Sequence, residues 1–448
     1  MGKRELDMTG SPLFKNIIRY TIPIVLTGFL QLLFNAADLI VVGQYCNEIS
    51  VAAVGNTGAI TALVVNFFMG FSTGTGVSIA QSIGARNDKA VHRAVHTAIP
   101  IAVISGIIMM IVGISFTEGV LHLMNTPDEV LPLSSTYMKI YFSGTILIMV
   151  YNFCASILRA AGDTKSPLIY LTIAGIINVI LNYIFVVFFD MNVAGVALAT
   201  TISQGVSAVL VIIKLMKRAD ACKLMFGKLK IYKRPLTQII GIGLPAGIQS
   251  ALFAISNTLI QSAVNSFNSS AIMSGNAAAG NIEGFVYVII GAFNQTAINF
   301  IGQNVGAKRY DRVKKIYFTC LELVTVSCIV AGVAVYLLGP TLLSLYVPNS
   351  AEAVRYGMER IVWICFPYFI CGLMDVSTGA LRGMGVSVAP MIITVVGVCG
   401  MRILWIYTIF QMYHMLPCLY LSYAVTWTLT FIVEFFVFCY VYKRRIKL

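Results

Sequence analysis

The stretch PIVLTGFLQLLFNAADLIVV, residues 23–42, is long and apolar enough to cross a membrane as one helix, yet it contains a carboxylic acid, Asp38. A charged acid in hydrocarbon costs roughly 3 kcal/mol on insertion scales, so it is tolerated where it faces a bundle interior or a watery cavity. Pro23 removes one backbone hydrogen bond and marks a place where the helix can bend. The stretch predicts a membrane transporter in which Asp38 binds and releases the coupling ion, with Pro23 as a hinge. The alternative is an acid that is permanently hydrogen-bonded between helices.

The composition is that of a polytopic membrane protein. Of the 448 residues, 58% are hydrophobic and 11% are charged, whereas soluble domains carry about 25% charged residues. The start, MGKRELDMTG, lacks the form of a cleaved signal peptide because the apolar run behind it is too long. Twelve spans are predicted, near residues 14–42, 51–80, 92–116, 133–158, 166–189, 193–216, 236–262, 277–300, 313–337, 355–381, 387–410 and 418–441.

The net charge of +13 follows the predicted topology. Lysine and arginine collect in alternate connections, at both ends of the chain and in the stretch 215–235, while the intervening loops contain neither. By the positive-inside rule, this distribution predicts a multi-pass protein of the plasma membrane (the inner membrane of a bacterium) with both termini in the cytoplasm. It argues against nucleic acid as a partner.

Neither cysteine nor histidine predicts a metal or redox site. The ten cysteines are scattered, mostly within apolar runs, and form no CxxC pair, so we interpret them as small hydrophobic residues. His92 and His96 are four residues apart, but no third ligand lies near them. No nucleotide-binding signature occurs. We therefore expect no metal, no cofactor and no catalytic residue.

The sequence repeats itself at an offset of about 222 residues. Residues 22–39 correspond to 244–260, QSIGAR at 81–86 to QNVGAK at 303–308, and LRAAGDTKSP at 158–167 to LRGMGVSVAP at 381–390. Each half holds six spans, and because six is even, both halves enter the membrane from the same side. We predict an all-α fold of two six-helix lobes, 1–214 and 236–448, related by a pseudo-twofold axis along the membrane normal and joined by a cytoplasmic basic linker, 215–235.

Polar residues in the first half could surround Asp38. Asn178 and Asn182 are four residues apart on the fifth span, hence on one face, and Thr200 lies on the sixth span. These residues offer only oxygen ligands and a carboxylate, which suits a proton or a hard cation such as Na⁺. Taken singly, each amide or hydroxyl could equally serve as a hydrogen bond between helices.

The second half lacks this acid, because Ile260 stands where the repeat would place it. Two other acids, Glu283 and Asp375, lie well inside spans among aromatic or small residues, which suits the binding of an organic cation. Arg402 is the odd cation of the eleventh span; it could pair with Asp375 or with Glu434, or extend to the membrane surface. The predicted substrate-binding residues are Glu283, Asp375, Asn257, Gln261, Phe285 and Tyr287.

Together these motifs resemble the multidrug and toxic compound extrusion (MATE) transporters. The resemblance covers essentially the whole chain and rests on NAADLIVVG in span one, GAR and GQNVGAK after spans two and eight, and LRAAGDTKSP and LRGMG after spans four and ten. Glu283 in NIEGFVYV, and the absence of an acid in span seven, are more similar to the DinF-like prokaryotic branch than to the NorM-like branch.

The resemblance implies that Asp38 handles the coupling ion, with Asn178, Asn182 and Thr200 as companions. Family members often carry an acid at the position of Asn182, so this chain has a less charged pocket, which weakens the case for tight Na⁺ binding. Asp375 lies one turn nearer the LRG motif than the acid of the NorM-like branch, so that branch's coupling role is not transferred to it.

The sequence thus predicts a monomeric secondary antiporter, in contact with membrane lipids, that exports organic, cationic and amphipathic compounds in exchange for H⁺ or Na⁺. The lobes are expected to rock around a central cavity. One alternative is a flippase for lipids or lipid-linked oligosaccharides on the same fold. Such a flippase would require a cavity rich in basic side chains to hold the pyrophosphate. A membrane-embedded enzyme would require a paired acid–base or metal constellation on neighbouring spans, and the sequence shows none. A channel is a weaker alternative, because two similar lobes and a single coupling acid favour alternating access.

Overall fold

The computed structural model describes residues 6–10, 12–124, 126–348 and 350–446, and over these ranges it contains helices and no strand. Basic residues that the sequence places at the cytoplasmic termini, Lys3, Arg4 and Lys447, lie outside the described residues. The helices are α1 (Leu13–Tyr45), α2 (Glu48–Gly84), α3 (Asp88–Leu123), α4 (Leu131–Ser143), α5 (Thr145–Ala160), α6 (Lys165–Tyr183), α7 (Asn192–Met216), α8 (Lys233–Asn265), α9 (Ser270–Gly306), α10 (Tyr310–Tyr346), α11 (Ala351–Cys365), α12 (Tyr368–Gly383), α13 (Val388–Thr394), α14 (Met401–Tyr407), α15 (Ile409–Met412) and α16 (Leu416–Ile446).

Ten of the described segments are long and apolar enough to cross a membrane, and two bent pairs of helices bring the number to twelve if each pair is one span. The α4–α5 pair bends by 45° at Gly144, and the α11–α12 pair bends by 44° before Tyr368. Pro367 lies at the second break, where it cannot donate a backbone hydrogen bond. The predicted all-α polytopic membrane fold is confirmed, and the two bends are what the sequence did not predict.

The internal repeat is visible in the turns. Arg86 after α2 and Lys308 after α9 both adopt a positive φ, at 52° and 55°. Gly162 after α5 and Gly385 after α12 do the same, at 89° and 85°. These pairs fall within the motifs that the repeat aligns, so each repeated motif forms the same kind of turn in both halves.

The chain divides by its internal contacts into two units. Unit 1 contains Leu26–Gly243, and unit 2 contains Met8–Val25 and Leu244–Leu448. The division therefore falls inside α1 and α8, each time within a few residues of a helix-internal proline, Pro23 or Pro245. The lobe bounds drawn from the sequence, 1–214 and 236–448, stay a prediction.

Each unit has its own core. In unit 1, the rings of Phe71 and Phe153 meet edge to face with centroids 5.5 Å apart, between α2 and α5. In unit 2, Tyr317 stacks on Phe438 at 3.9 Å, between α10 and α16. Small residues allow close contacts, because a side-chain carbon at Gly275 would overlap the backbone oxygen of Ala353.

The linker between the lobes is attached to unit 1. The backbone N–H of Met225 donates to His96 Nε2 at 3.1 Å, and the N–H of Tyr232 donates to Thr97 Oγ1 at 3.1 Å. Within the linker, Asp220 accepts from Arg218 Nε at 2.8 Å. Burial acts to raise the pKa of Asp220, but the Arg218 hydrogen bond and charge act in the opposite direction, and the net pKa lies below its usual value.

Candidate functional site

Asp38 lies on α1 of unit 1, and its carboxylate is 9% exposed. Asn182 Nδ2 donates to Asp38 Oδ1 at 2.5 Å, and Thr200 Oγ1 donates to Asp38 Oδ2 at 3.3 Å. Asn178 Nδ2 donates to Thr200 Oγ1 at 3.3 Å, so it supports the hydroxyl that donates to the carboxylate. The structure therefore brings together the four residues that the sequence predicted for the coupling site, on α1, α6 and α7. Asn35, one turn before Asp38, is exposed.

Close packing of α1 on α6 sets this geometry. A side-chain carbon at Gly175 would overlap the ring of Phe34, so the glycine lets that ring reach the α6 backbone. Phe34 is one turn before Asp38, and Gly175 is one turn before Asn178. After Tyr183, α6 continues as a π-helical segment, Ile184–Phe188. Such segments recur at functional sites.

The amide of Asn182 is only partly satisfied. Its side chain is 0% exposed, and its oxygen, Oδ1, has no hydrogen-bond partner among the described residues. Because a carboxylate only accepts hydrogen bonds while a carboxylic acid also donates one, an amide can serve both forms of Asp38 by turning its nitrogen or its oxygen toward it. The site can therefore hold a proton without another polar group.

In unit 2, Glu283 forms a buried ion pair that the sequence did not predict. Arg360 Nε and Nη2 each donate to one oxygen of Glu283 at 2.8 Å. The side chain of Arg360 is 10% exposed and that of Glu283 is 4% exposed. Arg360 Nη1 also donates to Asn276 Oδ1 at 2.5 Å, and Tyr420 donates to the same oxygen at 3.1 Å. The carboxylate of Glu283 is thus fully engaged within its own unit.

Gln261 joins this network from α8. Asn276 Nδ2 donates to Gln261 Oε1 at 2.6 Å, and Gln261 Nε2 donates to Asn265 Oδ1 at 3.1 Å. Two of the predicted substrate-binding residues, Gln261 and Glu283, are therefore linked through Asn276 and Arg360. Nothing in the spacing of the sequence points to Arg360, because it stands among other charges in AEAVRYGMERIVWIC.

Arg402 on α14 is 1% exposed and pairs with neither acid proposed for it from the sequence. Its Nη1 donates to Asn257 Oδ1 at 3.0 Å. Its guanidinium carbon lies 4.0 Å from the ring centroid of Tyr423. The expectation of an ion pair or of extension to the membrane surface is wrong, since the side chain is buried against aromatic rings.

Two further acids of unit 2, Asp375 and Glu434, have different surroundings. Asp375 is half-buried, and Asn294 Nδ2 donates to its backbone oxygen at 2.9 Å. Glu434 is 0% exposed, and Thr378 and Thr394 donate to its Oε1 at 2.7 and 3.1 Å. The Oε2 atom of Glu434 has no partner among the described residues. Of the predicted aromatic residues, Phe285 is half-buried and Tyr287 is 39% exposed.

Among the described residues, no group of three or more histidines, cysteines or acids is placed to hold a metal ion. His92 and His96 stack with ring centroids 3.9 Å apart. His96 uses both ring nitrogens within unit 1, on the carbonyl oxygen of His92 at 2.8 Å and on the N–H of Met225.

A model of the MatE family matches residues 23–184 and 245–408. The probable multidrug resistance protein YpnP of Bacillus subtilis (strain 168) is 26% identical over 412 residues, covering 89% of each chain. The multidrug export protein MepA of Staphylococcus aureus (strain MRSA252) is 22% identical over 409 residues, covering 88% of this chain and 90% of the relative.

Two solved structures show the same fold. A MATE protein in the bent conformation has 20% identity and a TM-score of 0.88, covering 97% of this chain and 96% of that chain. The outward-facing conformation of a multidrug resistance MATE family transporter of the MOP superfamily has 20% identity and a TM-score of 0.92, with full coverage of both chains.

Proposed function

This chain belongs to the MatE family, and we propose that it is a secondary antiporter that exports organic compounds across the plasma membrane in exchange for inward-moving H⁺. The names of YpnP and MepA as multidrug resistance and export proteins support the export of drug-like molecules. The observation that carries the proposal is Asp38, an acid buried within a membrane span and bonded to Asn182 and Thr200.

The contacts of Asp38 favour H⁺ over Na⁺ as the coupling ion. A bound Na⁺ would need several oxygen atoms directed at it, as hard cations do. Here Asn182 turns its nitrogen, not its oxygen, toward the carboxylate, and Asn178 turns its nitrogen toward Thr200. A proton on Asp38 needs no such set of ligands, because it turns one carboxylate oxygen into a donor.

Protonation would change the hydrogen bonds of Asn182. When Asp38 is charged, the amide nitrogen donates to it, as in this structure. When Asp38 is protonated, rotation of the amide presents Oδ1, which has no partner among the described residues, to the new O–H donor. The site therefore has two alternative arrangements, and a ligand or gradient that favours one of them shifts the population.

Pro23 is the proposed hinge. It lies inside α1, two residues before the point at which the helix passes from unit 2 to unit 1. Because the ring removes one helical hydrogen bond, bending there costs less than elsewhere in the helix. We propose that a change of the Asp38 site on the unit 1 side of this point alters the bend, and that the two units move relative to each other during transport in a rocking type of alternating access.

The exported compounds are proposed to be cationic and amphipathic, and the cytoplasmic placement of both termini is proposed from the charge distribution. Among the predicted substrate-binding residues, Asn257 and Tyr287 are exposed and available for contact. Glu283 stays a candidate, but it would have to leave Arg360 first. The flippase alternative, which requires a cavity rich in cations, is not favoured, because the buried arginines of unit 2 are engaged separately: Arg360 is paired with Glu283, Arg382 donates to Gln249 at 2.7 Å, and Arg402 donates to Asn257 at 3.0 Å.

The experiment that tests this proposal uses the purified protein in liposomes, with pH and Na⁺ gradients imposed separately. A fluorescent organic cation should be moved against its own gradient by a pH gradient, and a Na⁺ gradient alone should not move it. Movement driven by Na⁺ alone would overturn proton coupling. Equilibration of the cation that neither gradient can drive would overturn antiport.

A further inference from the structure

The guanidinium of Arg402 has buried donors that no described residue accepts. Its Nη1 donates to Asn257, but Nε and Nη2 have no hydrogen-bond partner among the described residues. The side chain is 1% exposed. A buried guanidinium is normally paired and hydrogen-bonded, since leaving a charge without an acceptor in a low-dielectric interior is costly.

Aromatic rings offset only part of this cost. The guanidinium carbon lies 4.0 Å from the ring centroid of Tyr423, 5.5 Å from that of Phe253 and 5.8 Å from that of Trp427. Contacts of this kind attract a desolvated cation to the face of the ring. They act on the face of the guanidinium, whereas its N–H donors point outward in its plane and still need acceptors.

A second unpartnered donor belongs to the same cluster. Trp427 is 2% exposed, and its Nε1–H has no acceptor among the described residues. By contrast, Nε1 of Trp405 donates to the backbone oxygen of Cys418 at 3.0 Å. Three donor nitrogens, two from Arg402 and one from Trp427, are therefore buried in one cluster without an acceptor among the described residues. Such a set is complementary to an anionic acceptor group.

One side of this cluster reaches the surface of unit 2. Asn257 is exposed, and Tyr287, which stacks on Phe253 with centroids 6.3 Å apart, is 39% exposed. A polar amide on an exposed face within a span is better accommodated by water than by lipid. The π-helical segment Val395–Gly400 ends directly before the helix that carries Arg402, and such segments accompany functional sites.

The repeat makes the charge of this cluster informative. In unit 1, an acid on α1 meets an amide on α6, the fifth span. In unit 2, the helices that correspond by the repeat are α8 and α14, and there an amide, Asn257, meets a cation, Arg402. Unit 1 is thus arranged to receive a positive charge, and unit 2 to receive a negative one.

We propose that Arg402, Trp427 and Asn257 form a binding site in unit 2 for the carboxylate of an aromatic, amphoteric substrate. The planar fork of arginine matches the two oxygens of a carboxylate, and the rings of Phe253 and Tyr287 suit an aromatic body. One guanidinium and one indole N–H fit a singly charged group better than a phosphate or pyrophosphate, which would want several cations. The site defines a substrate class within the proposed export function and rests on it.

The first test measures binding to the purified full-length protein and needs no transport. Trp363→Phe with Trp405→Phe leaves Trp427 as the only tryptophan of the three in the chain. Benzoate is the probe, and benzamide, its uncharged analogue, is the control. We expect a saturable change of Trp427 fluorescence with benzoate alone, and a dissociation constant at least about tenfold weaker after Arg402→Gln, with Arg402→Lys in between.

Three outcomes of this titration would overturn the proposal. They are equal responses to benzoate and benzamide, benzoate binding that Arg402→Gln does not weaken, and tighter binding of inorganic phosphate than of benzoate. The last outcome would point to a phosphate-bearing ligand.

The second test uses only the unmodified protein, so that it does not depend on the folding of a variant. Tetramethylrhodamine with a free carboxylate and its methyl ester differ only in that group. In liposomes with a pH gradient, the free acid should show a KM about tenfold or more below that of the ester. If the ester moves and the acid has no advantage, this inference fails while the export function stands. If neither dye moves, the export function fails and the benzoate titration decides the inference.

Discussion

Asn182 donates a hydrogen bond to Asp38 across 144 residues of sequence, and the oxygen of the same amide, buried within unit 1, has no donor among the described residues. One half of the amide thus serves the charged acid, and the other half is available to the protonated acid. This relationship connects the geometry of the site to proton coupling.

Replacing Asn182 by leucine should move the pH dependence of transport. The leucine keeps the approximate volume of the side chain but cannot donate to Asp38, so the charged form of the acid loses its shortest hydrogen bond. Release of the proton then becomes harder, and the pH of half-maximal transport should rise. The measurement is dye transport in liposomes between about pH 5 and 9.

Asn178→Leu is the matched control, because Asn178 Nδ2 donates to Thr200 Oγ1, whereas Asn182 makes the shorter bond directly to the carboxylate. Its effect on the pH profile should be smaller than that of Asn182→Leu. If the two variants shift the pH of half-maximal transport equally, the pocket responds to any loss of polarity and the Asn182 contact has no special role.

Pro23→Ala should slow transport without reducing stability. The substitution restores a helical amide donor and removes a residue that costs about 3 kcal/mol inside a helix, so it favours a straight α1. Transport rates in liposomes and thermal unfolding in detergent measure the two effects. Pro100→Ala, inside α3 and within unit 1, is the control, since it should change the stability and leave the rate nearly unchanged. A normal rate for Pro23→Ala would remove Pro23 as the hinge.

Glu283 and Arg360 should behave as a coupled pair. Glu283→Gln leaves the guanidinium of Arg360 buried without its counter-ion, which costs about 3–5 kcal/mol in comparable pairs. The double variant Glu283→Gln, Arg360→Met should recover much of that loss, because the uncompensated charge is gone. Thermal unfolding of the four proteins of this cycle measures the coupling.

Substrate binding separates the two roles proposed for Glu283. If Glu283 serves only the ion pair, Glu283→Gln should weaken the binding of cationic and of neutral compounds equally. If Glu283→Gln instead weakens the binding of cationic compounds alone and changes the stability little, the prediction from the sequence that Glu283 binds substrate directly is supported.

The linker should face the cytoplasm. Lys223 lies in the linker and is exposed, so Lys223→Cys provides a reactive thiol there. A membrane-impermeant maleimide added to intact cells should fail to label it beyond the background of the parent protein. Glu129→Cys, which is exposed between α3 and α4, should be labelled readily. Ready labelling of Lys223→Cys from outside would reverse the topology that the positive-inside rule predicts.

Much of the fold could be predicted because its signals are local. Span length and hydropathy located the membrane helices. The repeat aligned the motifs in which Arg86 and Lys308, and likewise Gly162 and Gly385, share a positive φ. The bend at Gly144 was missed, because the residues on either side are apolar enough for one continuous span. A side-chain carbon on that glycine would overlap Thr201 of α7, which is a tertiary reason that hydropathy does not contain.

The same distinction applies to the site. Asn178 and Asn182 could be found because two amides four residues apart share a helix face, and an acid in a span needs donors. The pairs Glu283–Arg360 and Asn257–Arg402 join residues 77 and 145 positions apart. Arg360 was not singled out from the sequence, and Arg402 was expected to pair with an acid or to extend to the membrane surface. Which helix faces meet depends on packing, and no spacing in the sequence specifies it.

The central claim is that Asp38 takes up and releases the coupling proton. Asp38→Asn keeps the size of the side chain and its contact with α6 but cannot release a proton. The decisive measurement compares this variant with the unmodified protein in liposomes, using a fluorescent organic cation and a pH gradient as the only driving force. Direct binding of the same cation in detergent shows whether the variant is folded. The account predicts retained binding and loss of gradient-driven transport to the level of empty liposomes. Pumping by Asp38→Asn at the normal rate would contradict it.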